Sequence, residues 1–121
     1  MHRDEEIPLV RTDTSMKEVI YEMSRKGLGV TSVVDSGARL VGVISDGDLR
    51  RLLERDAALL DRTAGECMTR DPVTVDRNEA ATAALALMEK RRITSLMVPD
   101  ENGRVVGVVH LHDLWRLGEY F

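Results

Sequence analysis

Slid along itself by 65 residues, the chain aligns without a gap, Val10 to Leu52 against Val75 to Leu117. Between Val33–Leu52 and Val98–Leu117, 10 of 20 positions are identical. The matches include Asp35/Asp100, Arg39/Arg104, Val41-Gly42-Val43/Val106-Gly107-Val108, Asp48-Leu49/Asp113-Leu114 and Arg51-Leu52/Arg116-Leu117. Self-similarity at a fixed period marks a duplicated structural unit. A 121-residue chain is then two copies of one small unit. A unit of half that length buries too little surface to stand alone. Two copies packed sheet against sheet would supply the missing core.

Each copy carries the same order of signals. An extended piece comes first, Pro8-Leu-Val10 and Pro72-Val-Thr-Val75. A helix follows. In the first copy Ser15 is the predicted N-cap, with Glu18 completing a capping box. The apolar stripe Met16, Val19, Ile20 and Met23 has i, i+3, i+4, i+7 spacing and reads as core contact. The second copy repeats it as Ala81, Ala84, Leu85 and Met88, with Asn78 as the predicted cap. Two short strands then flank a turn: Val30–Val34 and Leu40–Ser45 around Asp35-Ser-Gly-Ala, and Thr94–Val98 and Val105–His110 around Asp100-Glu-Asn-Gly. A second helix closes each copy, from Gly47 to Arg55 and from Leu111 to Gly118. The predicted fold is α+β, two β-α-β-β-α repeats related by an approximate twofold. The division falls at residues 1–62, the first repeat with its connector, and 63–121, the second. The connector Asp56–Met68 carries Leu59, Leu60 and Met68, which predicts an ordered segment.

Composition narrows the function classes. With 17 basic and 21 acidic residues the formal net charge is −4, and a nucleic-acid binder usually shows a basic face. Arg50-Arg51 and Lys90-Arg91-Arg92 are balanced by nearby acids and read as solvated helix faces. Only one cysteine is present, Cys67, so the chain cannot close a disulfide within itself. No apolar run approaches the ~20 residues of a membrane span, and Met-His-Arg-Asp-Glu-Glu is too polar for a signal peptide. These features predict a cytoplasmic protein without a nucleic-acid or membrane partner. There is no nucleophile–base pair, no Gly-rich phosphate loop followed by Lys and no complete metal set. Independent catalysis is not expected.

The segments Leu40-Val-Gly-Val-Ile-Ser-Asp-Gly-Asp-Leu49 and Val105-Val-Gly-Val-Val-His-Leu-His-Asp-Leu114 resemble the signature of CBS domains. Cys67-Met-Thr69 followed by Pro72-Val-Thr-Val75 resembles the start of a CBS repeat. More narrowly, Glu6-Ile-Pro8, Ser45-Asp-Gly-Asp-Leu-Arg-Arg51, Ile93-Thr-Ser-Leu-Met-Val98 and His110-Leu-His-Asp-Leu114 resemble the C-terminal half of bacterial arabinose-5-phosphate isomerases. In those enzymes a sugar-isomerase domain precedes a CBS pair and supplies arabinose 5-phosphate for Kdo, a lipopolysaccharide sugar. The resemblance implies a regulatory module, with a small anionic metabolite, a nucleotide or nucleotide sugar such as CMP-Kdo, bound between the repeats. It implies no other cofactor, a sugar-isomerase domain as partner, and assembly as a homodimer. The opening Met1-His2 resembles Met68-Thr69, but no connector precedes it. That implies a chain cut at a domain boundary, or a protein that has lost its enzyme half.

The resemblance also implies site residues. Asp48 and Asp113 correspond to the motif aspartate that grips a ribose diol; an ionised carboxylate offers two acceptors to adjacent hydroxyls. Ser45 and His110, three residues earlier, would reach a phosphate at the helix N-terminus. An Asp in a helix's first turn is equally explained by capping and the macrodipole. Asp46 places an extra acid there, which needs a cation such as Arg50 or Arg51 to offset it. Thr94 and Ser95 could contact a base or sugar, or simply bond to backbone. His110 and His112 share a strand side, and Asp113 could join them, but no further cluster completes a metal site. A contact to an anionic sugar nucleotide is the preferred reading. Trp115 reads as core packing or a dimer anchor. Gly42 and Gly107 sit mid-strand, where glycine marks a close approach, expected to be between the repeats.

Overall fold

The computed structural model describes residues 2–79 and 81–111. Two packing units result. Pro8–Pro72 forms one; the other joins the opening segment, up to Ile7, to the chain from Val73 onward. The sequence register put the division after residue 62. By packing, the end of the connector and the strand after it stay with the first repeat, because that strand pairs there.

The first unit is a four-stranded sheet in the order β1-β2-β3-β4. Strand β1 (Leu9–Arg11) runs parallel to β2 (Val30–Val34), with Val10 opposite Val33. Strand β3 (Leu40–Ser45) is antiparallel to β2, and β4 (Thr69–Arg70) is antiparallel to β3. Helix α1 (Met16–Lys26) covers the sheet. Ser15 Oγ accepts from the Glu18 N–H at 3.4 Å, the predicted cap, but no bond from the Ser15 N–H to the Glu18 side chain completes the predicted capping box. Gly27 ends the helix at φ 72°, the left-handed turn that glycine adopts without a Cβ penalty. Met16, Val19 and Met23 are buried against Val10, Val33, Ile44 and Leu49, with Ile20 partly buried beside them. Each such side chain stabilises the unit by about 1.5–3 kcal/mol.

Helix α2 (Asp46–Arg55) begins one residue earlier than its glycine suggested, because Ser45 is the cap. The connector is ordered. Leu59 lies in a 3-10 turn (Leu59–Asp61) and is buried in the same core, whereas Leu60 is exposed. Thr63 and Glu66 then form a capping box that starts α3 (Ala64–Cys67).

The second unit repeats this register on a smaller scale. Helix α4 (Ala81–Arg91) precedes a hairpin of β5 (Ser95–Pro99) and β6 (Val105–His110). Thr74 bridges Met97 in parallel, the counterpart of Leu9 beside Ser32. Ala84 and Met88 are buried with Val75, Leu96 and Val98; Leu85 is partly buried, and Ala81 is exposed. Strand β5 is displaced by one residue from the predicted Thr94–Val98. The register shifts between Val98 and Pro99, as it does between Val33 and Val34, and a bulge is where a strand tolerates proline. The start of α4 adjoins residue 80, outside the described residues, and the predicted cap Asn78 lies in the turn before it, its N–H donating to Asp76 Oδ1 at 2.8 Å. The 65-residue counterpart of Ser15 is Ala80, which has no side-chain acceptor. Of the closing helix predicted from Leu111 to Gly118, residues from His112 on lie outside the described residues, as does Trp115.

The two hairpin turns match. Asp35 Oδ1 accepts from the N–H groups of Gly37 and Arg39, and Asp100 Oδ1 from those of Asn102 and Arg104. These bonds, that from Arg104 first, hold the Asp100 carboxyl below the usual range despite some desolvation. Gly103 has φ 82°, and Ala38, at the matching place, φ 64°.

Gly42 owes its identity to a strand of its own unit, not to the other repeat. A Cβ there would come 2.5 Å from Met68 Sδ, 2.8 Å from Met68 Cγ and 2.9 Å from the Thr69 carbonyl. Thr69 pairs with Val43. In the second unit the matching position, Val108, pairs with His2. In each unit, the segment that leads into the other repeat's sequence supplies the strand beyond the hairpin.

Candidate ligand-binding site

The junction after the second hairpin strand has the same backbone geometry in both units. The Asp46 N–H donates to the Gly29 carbonyl at 2.9 Å, and the Leu111 N–H to the Thr94 carbonyl at 2.8 Å. Each bond folds the helix start over the strand that begins the hairpin. The candidate residues Ser45, Asp46 and Asp48 sit at one junction, and Thr94, Ser95 and His110 at the other. His112 and Asp113 lie outside the described residues.

At the first junction the polar atoms are already engaged. Ser45 Oγ accepts from the Asp48 N–H at 3.1 Å, and Asp48 Oδ2 accepts from the Ser45 N–H at 3.0 Å, a complete capping box. Arg51 Nη2 donates to Asp48 Oδ1 at 2.7 Å. Thr69 Oγ1 donates to Asp48 Oδ2 at 3.4 Å. Of the two candidate cations, Arg51 pairs with Asp48, and both Arg50 and Arg51 are exposed. Asp46 is exposed, and its carboxylate lies over Gly29, where a Cβ would come within 3.0 Å of Oδ2. Ser45 and Asp48 are only partly buried; Asp48 Oδ2 already accepts two bonds, whereas Oδ1, with one from Arg51, keeps a lone pair for a ligand hydroxyl. The sequence reading missed Thr69. Its signal was the motif Met-Thr before the second repeat, whose place beside Asp48 depends on the pairing of β4 with β3.

The second junction differs in chemistry. Ser95 pairs with His110 across the hairpin. Ser95 Oγ is shielded from solvent and has no hydrogen-bond partner among the described residues. Thr94 is exposed and His110 half-buried. A shielded hydroxyl without a partner costs about 1–3 kcal/mol, so a bound polar group would relieve a penalty already present in the fold. Its first-repeat counterpart is Val30, buried and apolar.

Other chemistry finds little support. Among the described residues, no group of three His, Cys, Asp or Glu could hold a metal ion. Burial, and then the charges of Glu66 and Asp56, push the Cys67 thiol up, away from the reactive thiolate. A shallow cleft of about 400 Å³ lies between Thr74–Glu79 and Pro99–Glu101, and is not lined by Thr94, Ser95 or His110. Its acids mostly serve the turns. No helix of the described residues is long and apolar enough to cross a membrane.

A model of the CBS domain family matches residues 1–55 and 64–114. The chain belongs to the CBS domain family. It is a tandem pair of such domains. Arabinose 5-phosphate isomerase KdsD of Yersinia pestis is 42% identical over 118 residues, which cover 98% of this chain and 36% of the relative. The Pseudomonas aeruginosa protein of the same name is also 42% identical, with the same coverage. The chain thus spans about a third of the length of these relatives. Among solved structures, the CBS pair of MJ0100, in complex with 5′-methylthioadenosine and S-adenosyl-L-methionine, superposes with a TM-score of 0.85. It is 25% identical and covers 98% of this chain and 92% of its own. CBSX2 in complex with AMP superposes with a TM-score of 0.84 at 23% identity, covering 99% of this chain and 92% of its own. This second likeness speaks for the fold.

Proposed function

We propose that this CBS pair binds a small anionic metabolite, a nucleotide or nucleotide sugar, and thereby regulates a sugar-phosphate isomerase domain of its parent protein. The observation that carries the reading is the shielded, unpartnered Ser95 Oγ beside Thr94 and His110. Two kinds of relative support it: CBS pairs solved with adenine compounds, and isomerases that share 37–42% identity with this chain. Ser95 and Thr94 would bond sugar or base, and His110, with His112, would meet the phosphate. Asp48 and Asp113 would accept from ribose hydroxyls, with Ser45 near the phosphate and Arg51 offsetting Asp46. Regulation follows when the ligand binds two states of the parent enzyme unequally. CMP-Kdo, the activated form of the sugar to which arabinose 5-phosphate leads, is the natural feedback effector. The parent protein acts in the cytoplasm and pairs through its CBS domains as a homodimer.

Calorimetry of the chain with AMP, CMP and CMP-Kdo tests the reading. Binding of CMP-Kdo that Ser95→Val weakens at least tenfold is the expected result. No heat from any of the three at millimolar concentration overturns it. A second reading, a dimerisation module with vestigial clefts, is favoured by the capping box and ion pair that occupy Ser45 and Asp48. It requires that Asp48→Ala with Asp113→Ala change neither oligomeric state nor any binding.

A further inference from the structure

Helix α4 ends at Arg91, and the residue after it holds a left-handed turn. Arg92 has φ 57°; its N–H donates to the Glu89 carbonyl at 3.4 Å, and the Ile93 N–H to the Met88 carbonyl at 3.0 Å. Its counterpart 65 residues earlier is Gly27, which closes α1 at φ 72°. Glycine adopts that conformation freely, whereas an arginine there carries the steric cost of its Cβ. The cations just before it have an ordinary explanation. Lys90 and Arg91 lie in the last turn of α4, as Arg25 and Lys26 do in α1, where the helix dipole favours positive charge. Arg92 stands beyond the helix. It is exposed, and its side chain makes no hydrogen bond or ion pair among the described residues, so no local bond offsets the strain. Strain that local contacts do not explain is a pointer to function.

From Arg92 the chain leads directly to the candidate site. Ile93 packs against the core of its own unit. Thr94 is exposed, and its carbonyl accepts from the Leu111 N–H; Ser95 then opens β5 opposite His110. Three residues of extended chain span at most about 10 Å, so the long guanidinium stem of Arg92 can reach the Thr94–Ser95 end. Thr94 and Ser95 offer hydroxyls but no charge. An arginine meets a phosphate through paired N–H donors, which supply charge and orientation together. At the first junction the nearest such group, Arg51, is already held by Asp48.

We infer that Arg92 is a phosphate-binding cation of the second junction, and that its left-handed turn is kept because it holds the guanidinium beside Thr94 and Ser95. The assignment rests on the ligand reading above and narrows it to ligands with a phosphate next to the group that Ser95 meets.

Arg92→Gly tests it, because the variant removes the guanidinium and relieves the turn, so that loss of fold cannot imitate loss of binding. Its melting temperature should rise by about 2–8 °C. In calorimetry, each of AMP, CMP and CMP-Kdo that binds the wild type should bind Arg92→Gly about tenfold or more weakly, the scale of a hydrogen bond to a charged group. Adenosine and cytidine, which lack the phosphate, should bind both proteins alike. Arg92→Lys keeps the charge and should bind the nucleotide more tightly than Arg92→Gly at low salt, with the difference shrinking as salt rises. Unchanged nucleotide affinity in Arg92→Gly overturns the assignment and leaves the ligand reading standing. Equal losses for nucleotide and nucleoside also overturn it, since phosphate is then not the group that Arg92 meets. If none of the three nucleotides binds the wild type, the ligand reading fails and the assignment fails with it.

Discussion

The two repeats share a register and differ in construction. In the first, Met16 fills the core beneath α1; in the second, its counterpart Ala81 is exposed. The first caps its helix with Ser15, where the second has Ala80. The first has a four-stranded sheet, and the second a hairpin extended by single-residue bridges. At the helix junction the contrast reverses. The first repeat satisfies its polar groups internally, through Ser45, Asp48, Arg51 and Thr69. The second leaves Ser95 Oγ unsatisfied. Duplication left one repeat whose junction groups bond to one another and one with a shielded hydroxyl unsatisfied among the described residues.

The largest expected effect tests the scaffold half of that contrast. Met16→Ala should destabilise the chain by about 2–5 kcal/mol, measured by urea unfolding. Ala81→Gly at the matching position should cost only helix propensity, about 1 kcal/mol. Similar costs at both positions would break the asymmetry. Gly42→Ala comes next, at about 1–3 kcal/mol, because the Thr69 carbonyl cannot move aside as a flexible side chain would. Retained stability there would mean that β4 is not held against β3.

The turns sharpen the comparison in the other direction, since there the second repeat is the better built. Ala38 occupies the left-handed conformation that Gly103 occupies in the other copy. Ala38→Gly should raise stability by up to about 1 kcal/mol, and Gly103→Ala should lower it by a similar amount. Thermal unfolding of both variants reads the pair, and matching signs would contradict the shared geometry.

The smallest effect concerns Glu22, which ties α1 to β1 in the first repeat only. Its carboxylate accepts from the Leu9 N–H at 3.0 Å and from Arg25 at 2.6 Å, and its counterpart is Leu87. Burial pushes this carboxyl up, but the Leu9 N–H and Arg25 outweigh it, and its pKa is lowered. A carboxyl with a lowered folded-state pKa stabilises above its unfolded value and loses that contribution as pH falls through the folded one. Glu22→Gln should therefore be less stable than wild type at neutral pH, with the gap closing in acid. A gap that widens in acid would reverse the assignment.

Much of this was legible in the sequence, for physical reasons. Strands and α1 follow from hydrophobic period, which depends on near neighbours, and Val30–Val34, Leu40–Ser45 and Val105–His110 have the predicted bounds. Ser15 was readable as a cap from its spacing to Glu18. For Ser45-x-x-Asp48 the sequence left capping and ligand contact equally open, and the structure shows the capping box. Asn78 looked like a cap because its side chain suits one; its turn at Asp76 is closed by a different local bond. The strand contributed by His2, the approach of Met68 to Gly42 and the bond from Thr69 to Asp48 were hidden, because each joins segments remote in sequence. Ser95 was readable as a possible sugar or base contact, with a bond to backbone as the equal alternative. Only burial shows that its hydroxyl lacks a partner.

A thermal-shift titration of the chain with AMP, S-adenosylmethionine, CMP, CTP and CMP-Kdo tests the central assignment most directly. A ligand that binds only the folded state adds RT ln(1 + [L]/Kd), about 2.7 kcal/mol at a hundredfold excess over Kd. A saturable rise with CMP-Kdo that disappears in Ser95→Val is the expected result. No shift with any of the five, in a chain that unfolds cooperatively, would contradict a ligand-sensing role and leave an assembly module.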